Sequence, residues 1–108
     1  MLLCLVGHFN QHAVDKAVSW WNERGTSIEV TAAGMPGIDC VPVILMPELR
    51  HFELRGLTLY DSWFPTVAIA RPGDALAIAH ELGHVVLGPE HDKRKHHLMS
   101  KAHPRWRM

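Results

Sequence analysis

The sequence predicts an α/β or α+β domain: a β-sheet of four to five strands with two helices packed on it, the second carrying His80-Glu81-Leu82-Gly83-His84. Three observations lead there. Residues 10–24 and 74–88 place apolar side chains at helical spacing between recognisable start and stop residues. Residues 2–6, 26–32, 41–46, 57–63 and 66–70 are short runs that are continuously apolar or alternate with period two. The order is strand, helix, strands, helix, with no linker or repeat between them, which suits one sheet covered by helices on one face.

Each element has its own cause. Leu2 to Val6 is a continuous apolar run, fit for a buried strand, and Gly7 breaks it. Asn10 or His12 starts the first helix, whose stripe is Ala13, Ala17, Val18, Trp20 and Trp21. It is expected to run to about Arg24 and stop at Gly25, with the paired tryptophans as core and rim packing. Residues 26–32 alternate and are β-branched, and residues 34–37 form a turn. In the run 41–46, Pro42 implies a late strand start or a bulge. Residues 47–52 are expected as a loop, residues 57–63 as a strand, and residues 66–70 as another after Pro65. Asp74 is a fitting cap for a helix over residues 75–87, which Gly88-Pro89 ends.

Composition sets the bounds. With 47% apolar and 20% charged residues and no net charge, 108 residues make one globular domain and exclude a disordered or fibrous chain. Charge is unevenly placed: residues 1–92 hold five basic and eleven acidic residues, a net of minus six, and residues 93–108 hold six basic residues and no acid. A solvated tail is the plainer reading of that end, and a nucleic-acid partner is set aside. Cys4 and Cys40 allow one disulfide at most, and free buried thiols are the expectation. No membrane span or secretory leader is visible, so a cytoplasmic protein without a membrane partner is expected.

The chemistry concentrates in the second helix. His80 and His84, four residues apart, fall on one helix face one turn apart. Two neutral imidazoles supply half of a tetrahedral zinc site, and Glu81 beside the first can act as general base. The bland alternative is a helix with two satisfied histidines. Against it, Gly88 ends the helix four residues after His84 and His91 follows three residues later, so the chain can turn back with a third ligand.

These residues resemble the metzincin clan of zinc endopeptidases, whose pattern H-E-x-x-H-x-x-G-x-x-[HD] precedes a methionine turn. Here it reads His80-Glu81-Leu82-Gly83-His84-Val85-Val86-Leu87-Gly88-Pro89-Glu90-His91, then Leu98-Met99-Ser100. The eight-residue step from His91 to Met99 looks like that of matrix metalloproteinases, and the wording around Gly88 and Met99 is similar to the small bacterial snapalysins. One feature departs from the pattern: Leu87 holds the family's glycine position and Gly88 comes one place late. If the helix runs one residue longer, His91 is the third ligand; if the count from His80 holds, Glu90 is, with Asp92 behind both.

The resemblance implies Zn2+ held by His80, His84 and His91 (alternatively Glu90), Glu81 as catalytic base, and Met99 beneath the site without coordinating. It also implies an α+β, zincin-like fold with a twisted mixed β-sheet, an upper part over residues 1–88 and a short lower part over residues 89–108, with little room for the family's C-terminal helix. An edge strand from Leu57 to Trp63 would bind a peptide or protein substrate. The expected function is a zinc-dependent metalloendopeptidase. The competing expectation is a non-catalytic or regulatory zinc-binding module whose basic tail contacts a partner. Self-association that buries the cleft is one way to restrain such an enzyme. Tyr60 and His51 are read as a packing and a surface residue, without catalytic roles.

Overall fold

The computed structural model describes residues 2–7, 9–31, 40–60, 65–88 and 99. Five strands, β1 (Leu2–Gly7), β2 (Glu29–Thr31), β3 (Cys40–Leu45), β4 (Gly56–Leu59) and β5 (Thr66–Ile69), form one sheet in the order β2-β1-β3-β5-β4. Neighbours run parallel except β4, which lies antiparallel to β5 at the edge. The helices are α1 (Gln11–Asn22) and α2 (Ala75–Leu87). The class is α+β with a mixed sheet, one of the two classes that the pattern of runs leaves open.

Alternation decides where the core sits. Leu3 and Leu5 of β1, Val41 and Val43 of β3, and Val67 and Ile69 of β5 share one face. Both helices cover it: Ala13, Val14, Ala17 and Trp21 come from α1, and Ile78, Ala79 and Leu82 from α2. Each fully buried Val, Leu or Ile there contributes about 1.5–3 kcal/mol. On the opposite face Leu49 packs against Ala68 and Ala70.

Four local expectations are corrected. Helix α1 stops at Asn22, short of Arg24, because the Asn22 side chain turns to the next segment: its Oδ1 accepts from Ile28 N (2.8 Å) and its Nδ2 donates to Ile28 O (3.1 Å). That capture also keeps residues 26–28 out of the sheet, so β2 begins at Glu29. Pro42 lies inside β3, which begins at Cys40; Pro42 pairs with Val6 of β1, and on the β5 side it sits ahead of the first pairing, Val43 with Val67. Residues 47–52 form a 3-10 helix (Pro47–Phe52), started by a proline whose fixed φ suits a first turn and held down by buried Leu49.

A fifth correction, beyond these local ones, concerns the cysteines. Cys4 and Cys40 are register partners on β1 and β3, with Cα atoms 4.5 Å apart, and are joined in a disulfide. Free thiols were expected because spacing in sequence carries no strand register. Among the described residues, no helix is long and apolar enough to cross a membrane.

Candidate metal centre

Helix α2 is fixed at both ends by the residues expected to do so. The Asp74 carboxylate accepts from Ala77 N at 3.2 Å, and the Arg55 guanidinium grips it at both oxygens, at 2.7 and 2.5 Å. At the other end Gly88, at φ 104°, caps with its N–H on the His84 carbonyl at 3.1 Å. Residues 77–84 are all buried, unlike the one-sided burial of a surface helix. β4 and β5 lie along α2 and α1 packs beside it. Met99 comes up underneath: a Cβ at Gly83 would stand 2.0 Å from the Met99 sulfur and 2.7 Å from Trp21 Cζ2. A side chain at Gly83 would force Met99 and Trp21 to shift. Trp21 also donates from Nε1 to the Ala79 carbonyl at 2.7 Å, tying α1 to the residue before His80.

Within this setting His80, Glu81 and His84 stand together. A ring nitrogen of each histidine and a carboxylate oxygen of Glu81 all lie within 4.8 Å of one another, and all three residues are buried. The two Nε2 atoms are 3.1 Å apart. His84 Nδ1 is 3.0 Å from the Gly88 carbonyl, which can only accept, so Nδ1 carries the proton and the lone pair sits on Nε2. The Nε2 contact is then filled either by a proton on His80 or by a cation shared between both rings. Zinc–nitrogen bonds of about 2.0–2.1 Å at tetrahedral angles put two ligand nitrogens about 3.3 Å apart, close to the spacing found. The donor set fits a metal ion.

Glu81 faces the edge strand. Thr58 Oγ1 donates to Oε1 at 2.8 Å, and the Gly56 backbone lies so near that a Cβ there would be 2.9 Å from Oε2. Burial pushes the Glu81 carboxyl from 4.5 up to about 7, with the Thr58 hydrogen bond pulling the other way. Tyr60 donates its hydroxyl to the His84 carbonyl at 2.7 Å. Its phenol is raised above 10.0 by burial and by the Glu81 charge.

The structure thus brings His80, Glu81 and His84 together and sets Met99 against the helix between them. His91, Glu90 and Asp92 lie outside the described residues, as does nearly all of the lower part expected over residues 89–108. Two contact residues, Gly56 and Thr58, went unassigned in the sequence, and Tyr60 was given a packing role only. Alternation groups positions 56, 58 and 60 on one face of the edge strand, and the fold alone determines that this face meets α2. Tyr60, read as packing, is a hydrogen-bond donor to the helix turn that carries His84. No protein-family model, curated protein or solved structure matches the chain.

Proposed function

We propose that this chain is a zinc-dependent metalloendopeptidase of metzincin-like construction. The observation that carries this reading is a carboxylate, 4% exposed, held beside two histidines whose Nε2 atoms are 3.1 Å apart. A purely structural metal site has no use for Glu81, and a purely packed helix has no use for any of the three. His80 and His84 would hold the ion through Nε2, with the third protein ligand drawn from the residues after Gly88: His91 first, Glu90 as the alternative.

A bound zinc ion would supply Lewis acidity to the scissile carbonyl and the attacking water. The chain's own residues do the rest. Glu81 takes a proton from the water and returns it to the leaving amine, the general-base role its place beside the two histidines allows. Gly88 holds the His84 ring by its Nδ1–H, so the ring keeps one orientation. Among the described residues β4 is the last strand on its side of the sheet, and its outer edge would offer backbone donors and acceptors to an extended peptide.

The disulfide bears on where this occurs. A cystine persists in oxidising surroundings, so it favours such a compartment over the reducing cytoplasm expected from sequence. Metal removal tests the reading: a quenched peptide library should be cleaved by the zinc-loaded protein, spared after chelation, and cleaved again when zinc is restored. Cleavage that survives chelation would count against a metal-dependent reaction.

A further inference from the structure

We propose that Thr58, with Gly56 beside it, is a positioning residue for Glu81 that fixes the rotation of its carboxylate. What that rotation is for rests on the hydrolase reading; whether Thr58 sets it does not. The terminal torsion of a glutamate is broad and two-fold, so burial alone leaves the carboxylate plane undetermined. Here each oxygen meets a different constraint. Thr58 Oγ1 donates to Oε1 at 2.8 Å, and among the described residues it is the donor to that group.

The other oxygen lies against backbone. A Cβ at Gly56 would come 2.9 Å from Oε2, 3.0 Å from Cγ and 3.2 Å from Cδ, so the carboxylate occupies the space that a side chain would take. Gly56 pairs with Ile69 and Thr58 with Val67, whose side chains face the core, so both β4 residues point toward α2. Tyr60 makes a third rung two residues on, donating to His84 O at 2.7 Å. The alternate positions 56, 58 and 60 therefore fit the strand to successive turns of the motif helix. A hydroxyl on one oxygen and a side-chain-free backbone against the other leave the carboxylate one orientation beside the histidines.

The test uses the full chain labelled with 13C-glutamate, in which the Glu81 Cδ resonance is the one missing from E81Q. T58V, which keeps the shape and removes the donor, should move that resonance. T58S should restore it, and G56A should move it with Thr58 still present. All three variants should bind zinc as the parent does. In the zinc-loaded protein T58V should lower kcat about 10- to 100-fold at nearly unchanged KM, as for a misplaced reacting group, and T58S should regain most of it.

A resonance unmoved by T58V, or one that T58S fails to restore, would overturn the proposal. So would a T58V chain that loses zinc together with activity, since Thr58 would then be structural. If the zinc-loaded parent cleaves no peptide, the hydrolase reading falls. The resonance still decides the positioning.

Discussion

Helices α1 and α2 are close to twins in construction. They span Gln11–Asn22 and Ala75–Leu87, each begins on an Asn or Asp that accepts from the backbone N–H three residues on, and both cover one face of one sheet. Their burial differs. α1 buries Ala13, Val14, Ala17 and Trp21, all apolar at helical spacing, and leaves its other side to solvent. α2 buries residues 77–84 without interruption, His80, Glu81 and His84 among them. α1 shows what covering the sheet requires. The buried polar residues of α2, His80, Glu81 and His84, go beyond that requirement.

The largest test of this contrast is at the two caps. Asp74 is locked to Arg55 with both side chains nearly buried, while Asn10 is an exposed residue with a single 3.3 Å bond to Ala13 N. Asp74→Ala should cost about 3–5 kcal/mol, since it strands a buried guanidinium. Asn10→Ala should cost about 1 kcal/mol. Urea unfolding measures both, and equal losses would erase the distinction.

Next comes pH. With its carboxyl raised from 4.5 to about 7, folded metal-free protein keeps a proton on Glu81 that the unfolded chain releases. Between those values the native state binds more protons, so stability falls as pH rises through the window, by about 3 kcal/mol in all. E81Q should remove that slope from the chelated protein. Parallel stability curves for parent and E81Q would show that the carboxylate is not buried as described.

A smaller effect belongs to Gly83. An alanine there normally gains about 1 kcal/mol in a helix. Here its methyl would meet Met99 and the ring of Trp21, and a net loss of about 1–3 kcal/mol is expected. A stabilised Gly83→Ala chain would mean that Met99 does not pack under the helix.

Legibility in the sequence followed the range of the forces involved. The ends of α2 read true because Asp74 and Gly88 act locally, through their own backbone neighbourhoods. The order of strands and helices read true because short apolar and alternating runs are local as well. The shortened β2 did not, since Asn22 reaches six residues ahead to hold Ile28. The Cys4–Cys40 bond and the Thr58–Glu81 contact join residues 36 and 23 positions apart, and both depend on strand placement that no spacing encodes. Within the site, the helical pair His80 and His84 was legible from the motif. The strand residues that hold Glu81 were not.

The central claim is that Glu81 works as a base beside a metal rather than as packing. It is tested most directly by loading parent and E81Q with zinc and measuring bound metal and peptide cleavage on the same samples. The account predicts equal zinc in both and cleavage reduced at least about 100-fold in E81Q. An E81Q chain that binds zinc equally and cleaves as fast as the parent would contradict it.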